Sequence, residues 1–150
     1  MNREIIFRGK RCSDGEWVYG FYVESKYSWQ GHKPNRSWIV LNAMSNGGFF
    51  SVLGRYAVKD DTVGQFTGMT DKKGVKIFEG DIVEVCDFTS AYASKYQGVV
   101  RMYCGLWCVE YEDSVFGMIF HPRLFFDDFA DRKTEVIGNI HDNPELLATR

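Results

Sequence analysis

Cys104 and Cys108, four residues apart, and His32, His121 and His141 are the residues whose types could hold a metal ion. On an extended strand four residues span about 13–14 Å, too far for both thiolates to reach one ion with sulfur bonds near 2.3 Å. A turn at Gly105 would be needed to bring them together, and no Cys-x-x-Cys pair accompanies them, so buried or half-buried free thiols are the expected state. Glu110, Glu112 and Asp113 form one acidic group and Asp127, Asp128 and Asp131 another, which His121 or His141 could join for acid–base or metal-assisted hydrolysis. Glu110 and Glu112 alternate with Val109 and Tyr111, however, and a solvated strand face accounts for them. No Ser, Cys or Thr stands in a Gly-x-Ser-x-Gly elbow, and the glycines lack the Lys-Ser/Thr of a phosphate loop. The expectation is a protein with no catalytic residue, metal or cofactor; a metal-dependent hydrolase is the enzymatic alternative.

Binding chemistry is better represented. Lys10 and Arg11 lie in a basic N-terminal stretch with Arg3, Arg8, Lys26, Lys33 and Arg36, against Glu4, Asp14, Glu16 and Glu24, a local balance of +3. Residues 127–150 carry six acids and three bases, a balance of −3. The basic stretch also holds Tyr22, Tyr27, Trp29 and Trp38, and rings beside cations suit both stacking on single-stranded bases and protein contacts. Trp17 and Trp38 are expected in the core. Trp29 falls in a polar loop, where an exposed tryptophan anchors interfaces. The whole chain has 18 basic and 20 acidic side chains, a net charge of −2 and a pI near 5.9, so nothing draws it globally to phosphate backbones or anionic membranes. A protein partner or a second copy of the chain is therefore the leading expectation, nucleic acid the alternative, and a membrane is not expected.

Short elements must position these residues. Apolar side chains mostly alternate at period two, the strand signature, and helical stripes are scarce. Trp17, Tyr19, Phe21 and Val23 line one face of a segment whose other face holds Glu16, Gly20 and Glu24. The Asp14-Gly15 turn joins it to residues 3–9 as a hairpin. Residues 27–37 and 42–48 read as loops around a strand at 38–41. Asp71-Lys72-Lys73-Gly74 has the pattern of a type I turn, so 66–69 should pair with 75–78. Residues 82–86, 98–103 and 106–112 read as three antiparallel strands, with Trp107, Val109 and Tyr111 on one face of the third. Residues 122–132 fit either a short helix or a hydrophobic loop, residues 134–140 return to strand, and Asn143-Pro144-Glu145 opens a short helix.

At 150 residues with 45% hydrophobic and 16% aromatic side chains, the chain is long and apolar enough to bury a core, which excludes both a disordered tail and a mini-protein. The expected class is mainly β, a β-rich α+β arrangement. One domain over 1–150 would hold an N-terminal β-meander at 1–58, a small SH3-like or irregular open β-barrel at 59–150 and the short C-terminal helix. Charges within the first eight residues and no long apolar run argue against a signal peptide or membrane span, so a reducing, cytoplasmic compartment and unpaired cysteines are expected.

The segment from Thr62-Val63-Gly64-Gln65-Phe66-Thr67-Gly68-Met69 through Asp71-Lys72-Lys73-Gly74 to Glu79-Gly80-Asp81-Ile82-Val83 resembles the signature of the YopX family of bacteriophage and prophage proteins. The opening Arg3-Glu4-Ile5 with Phe7-Arg8 and the closing Glu135-Val136-Ile137-Gly138-Asn139-Ile140-His141-Asp142-Asn143-Pro144-Glu145 resemble the family's two ends. The resemblance implies a mainly β, phage- or prophage-encoded protein acting in the cytoplasm of a bacterial host, with a host or phage protein, or itself, as partner. It brings no catalytic residues. Its recurring positions, Gly64, Gly68, Asp71, Gly74, Gly80, Gly138, Asn139 and Pro144, read as scaffolding. The functional alternative is that Gln65, Thr67 and Asp81, polar residues beside tight turns, line a shared binding groove.

Overall fold

A computed structural model describes residues 4–26, 36–41, 44–46, 49–51, 54–87, 94–113, 117–121 and 134–148. The chain is mainly β and divides into two compact units, Met1–Phe66 and Thr67–Arg150.

In the first unit, β1 (Phe7–Lys10) and β2 (Trp17–Ser25) form the expected hairpin, with Lys10 opposite Trp17 and Arg8 opposite Tyr19. The turn is held by the Gly15 N–H donating to the Arg11 carbonyl at 2.9 Å and by an Arg11–Asp14 ion pair at 2.8 Å. β3 (Arg36–Val40) pairs antiparallel with β2, starting two residues before the expected strand. β4 (Met44–Asn46) and β5 (Phe49–Ser51) form a separate two-stranded pair, and β6 (Arg55–Ala57) adds to β3. β4 falls in the stretch read as a loop, because three-residue strands are too short to show a period. β7 (Gly64–Thr70) begins in this unit, with Gly64 opposite Arg8 and Gln65 opposite Phe7.

The orientation of β2 departs from the core position expected for Trp17, which is half-buried. The strand's apolar odd face points outward: Tyr19 is 48% exposed, Phe21 49% and Val23 47%. The even face turns inward instead, because the meander curls. The Cys12 N–H donates to the Ala57 carbonyl and the Lys59 N–H to the Lys10 carbonyl, both at 2.9 Å, which ties Lys10–Cys12, at the end of β1 and beyond, to Ala57–Lys59, at the end of β6 and beyond. Such a curl needs small inner residues. A Cβ on Gly20 would lie 2.3 Å from the Val40 carbonyl oxygen, so glycine is required where β2 and β3 press together. Ile39, Val58 and Ser37 are buried on this inner side, and the Phe7 and Tyr22 rings meet there at 5.5 Å.

In the second unit, β7 runs into a turn at Asp71–Gly74 and returns as β8 (Lys76–Phe78), as the Asp–Gly pattern predicts. The Gly74 N–H donates to the Asp71 carbonyl at 3.0 Å, and Gly74 takes the left-handed φ of 81° that follows a type I turn in a three-residue hairpin loop. β9 (Asp81–Asp87), β10 (Ser94–Tyr103), β11 (Leu106–Asp113), β12 (Gly117–His121) and β13 (Thr134–Asn139) make an antiparallel sheet of order β12-β11-β10-β9-β13. Trp107 and Val109 pack with Val83, Val85, Val100 and Ile77 as its core, and Tyr111 meets the Tyr96 ring at 4.5 Å. Among the described residues the sheet is open and does not close into an SH3-like barrel. β13 returns from far along the sequence to take the free edge of β9, so β12 and β13 are the two edges of the described sheet. The expected short C-terminal helix is present as a 3-10 helix over Pro144–Leu147. Asn143 makes no side-chain cap; its Oδ1 accepts from the Asn139 N–H at 3.4 Å instead. Residues 122–132 lie outside the described residues.

Candidate functional site

The residues of the signature motif are used inside the second unit. Asp71 is 1% exposed, and its carboxylate accepts three backbone hydrogen bonds: Lys73 N–H at 2.8 Å, Val75 N–H at 2.9 Å and, from β13, Val136 N–H at 3.1 Å. One side chain therefore shapes the β7–β8 turn and fixes β13 to it, with the charge balanced by convergent peptide dipoles. Thr67 and Asp81 are both buried and both hold β8. The Thr67 hydroxyl donates to the Ile77 carbonyl at 2.9 Å and accepts from the Met69 N–H at 3.2 Å, while Asp81 Oδ2 accepts from the Phe78 N–H at 2.7 Å. Gln65 is half-buried in the first unit, opposite Phe7.

The remaining motif positions are turns and irregularities. Gly68 and Gly80 have left-handed φ, Gly64 is buried opposite Arg8, and Gly138 sits at the shift in register of β13. Asn139 Oδ1 accepts from the His141 and Asp142 N–H groups, both at 3.0 Å, and Pro144 opens the final 3-10 turn.

Of the other candidates, Cys104 and Gly105 form a two-residue turn, both with left-handed φ, between β10 and β11. Cys104 is exposed and Cys108 buried; burial, followed by the nearby Cys104, pushes the Cys108 thiol above its ordinary range. Glu110 is half-buried and pairs with Arg101 at 3.2 Å. Among the described residues no group of three His, Cys, Asp or Glu side chains is placed to hold a metal ion, and no helix is long and apolar enough to cross a membrane. Trp29 and His32 lie outside the described residues, as do Asp127, Asp128 and Asp131.

The surface best equipped for binding carries Trp17 and Trp38, the two rings expected in the core, both half-buried. Residues paired across an antiparallel sheet share a face, so Trp17, Tyr19, Phe21 and Val23 of β2 stand with Arg8 and Lys10 of β1, Arg36, Trp38 and Val40 of β3, and Arg55 of β6. The cations lie over the rings. Arg8 is 4.7 Å and Lys10 5.5 Å from the Trp17 ring centre, and Arg36 and Arg55 are 5.9 Å and 5.6 Å from that of Trp38. Arg8 is buried at one end of the face, Lys10, Arg36, Trp17 and Trp38 are half-buried, and Arg55 is exposed. Arg11 turns to the inner side, opposite Val58, where it stacks 5.2 Å from the Tyr56 ring and pairs with Asp14. Lys10 and Arg11, adjacent in sequence, thus serve different faces. Cross-strand register, which the sequence does not display, assembles this surface.

These features define a mainly β protein of two units, with a motif devoted to turn geometry and an aromatic, cationic sheet face in the first. Residues 6–148 match the family model described as YopX protein, and the chain belongs to the YopX family. Among solved structures, it is similar to protein EF1440 from Enterococcus faecalis, at 20% identity over 97% of this chain and 99% of that one, with a TM-score of 0.47. No curated protein matches it.

Proposed function

We propose that the protein is a non-catalytic binding module, an accessory protein of phage or prophage origin acting in the bacterial cytoplasm, whose working surface is the outward face of β1, β2, β3 and β6. One observation carries this reading: Tyr19, Phe21 and Val23 stand side by side along β2, each about half exposed, on a face edged by cations. Burying such rings on a partner recovers the hydrophobic free energy left unused in folding, and aromatic and arginine side chains are those that dominate binding surfaces. The signature motif supports the same division of labour, since Asp71, Thr67 and Asp81 spend their polar atoms on the backbone.

The test compares tagged wild-type protein with the Phe21→Ser variant as baits in bacterial host lysate, each divided and treated with nuclease or left untreated. Material held by the wild type and lost by the variant is the expected result. Equal recovery by both baits, or none by either, would overturn the reading.

A further inference from the structure

The charge and ring pattern of this face identifies a ligand more closely. Its described strand residues include Arg8, Lys10, Arg36 and Arg55 and no Asp or Glu, although the whole chain is net acidic. Residues 1–66 hold nine basic and six acidic side chains, a balance of +3, and residues 67–150 hold nine and fourteen, a balance of −5. Positive charge is therefore concentrated on the unit and the face that also expose aromatic rings. Tyr19 and Phe21 project from the same face two residues apart, about 6.6–6.8 Å along the strand, a spacing that lets two neighbouring unstacked bases each lie on a ring. Arg36 and Arg55 both lie over Trp38, which holds their guanidinium groups along the surface and lowers the entropy lost when they meet an anion.

Resting on the binding face proposed above, we propose that this surface binds single-stranded nucleic acid, with bases on Tyr19 and Phe21 and phosphates drawn to Lys10, Arg36 and Arg55. A duplex offers the phosphates but hides the base faces, so it lacks the stacking half of the interaction.

The test is fluorescence anisotropy with labelled oligothymidylate and oligouridylate of about 16 nucleotides, and a duplex of equal length, over a salt series. Either single strand should bind more tightly than the duplex, and the tighter of the two identifies DNA or RNA as the source. Three phosphate contacts predict that log K falls with log salt at a slope of about −2. Phe21→Ser should weaken single-strand binding about ten-fold or more. Arg55→Glu should weaken it and flatten the salt slope, while Lys95→Ala, on the second unit, should change neither. Thermal unfolding of each variant confirms that the fold is kept. Absent binding, duplex held as well as single strand, or Phe21→Ser binding like wild type would overturn the proposal. If the oligonucleotides fail while the Phe21→Ser bait still loses material that the wild type captures from lysate, nucleic acid is excluded and the binding face stands; if both experiments fail, both fall.

Discussion

Trp17, Tyr19, Phe21 and Val23 on β2 and Trp107, Val109 and Tyr111 on β11 have the same odd-numbered apolar alternation, yet Phe21 is 49% exposed and Trp107 is 1% exposed. The difference lies in the other face of each strand. On β11 the even position Glu110 carries a carboxylate, and turning Trp107 and Val109 inward leaves it half-buried, where it meets Arg101 at 3.2 Å. On β2 the even positions begin Val18, Gly20 and Tyr22, which are themselves fit for burial, and Gly20 allows the strand to bend onto β3. Alternation identifies two faces; it selects the inner one only where the opposite face is too polar to bury. The outward faces then diverge in chemistry. That of the second unit pairs its cations with carboxylates, Lys95 with Glu84 and Arg101 with Glu110, whereas that of the first lays cations on rings.

Trp107→Ala breaks the comparison most severely. Emptying a fully buried indole site should cost about 3–5 kcal/mol of stability, read as the shift in a denaturant unfolding curve. Asp71→Ala should follow, at about 3 kcal/mol or more, because three N–H groups lose their acceptor at once. If Asp71→Ala unfolds like wild type, the anchoring role given to the signature motif is wrong. Gly20→Ala tests the inner face of the first unit: its methyl would meet the Val40 carbonyl, and the expected loss is about 1–3 kcal/mol. By contrast Phe21→Ser, which removes a far larger apolar group but one that is half exposed, should cost only about 1 kcal/mol. A loss as large as that from Trp107→Ala would show that the β2 face is core after all.

The sequence discloses the second unit more fully than the first, and for a physical reason. The Asp71–Gly74 turn, the β7–β8 pairing and the Trp107 face follow from local turn chemistry and one unambiguous alternation. The open sheet does not, because β13 reaches β9 from some fifty residues away and no local pattern encodes that pairing. The cationic face is legible only in part: Arg8, Lys10 and Arg36 stand out as a basic stretch that also holds Trp38, but Arg55 and the single face on which they meet come from register. Thr67 and Asp81 are noticeable in sequence as polar residues at tight turns, but the same residue types serve to satisfy backbone groups there, and burial is what distinguishes that use from ligand binding.

The smallest expected effect sharpens the contrast between ion-paired and ring-stacked cations. Lys72 and Lys73 both hydrogen-bond Glu135, with the Lys72–Oε2 distance at 2.5 Å, and they hold its carboxyl down to about 2, with the Lys72 bond the larger cause. A carboxyl whose value falls on folding stabilises the protein fully above its ordinary range, near 4.5, and that contribution is lost as pH drops toward about 2. Glu135→Gln should therefore lower Tm slightly at neutral pH, and the difference from wild type should shrink through that acid window and with added salt, because the group is exposed and screened. Arg55→Ala removes a cation that faces a ring instead of a carboxylate, and its effect on Tm should not track the titration of any acid between 2 and 4.5. Thermal scans of both variants at pH 7, 4 and 2.5 separate the two kinds of surface; matching pH profiles would mean that the outward face of the first unit is held by carboxylates as well.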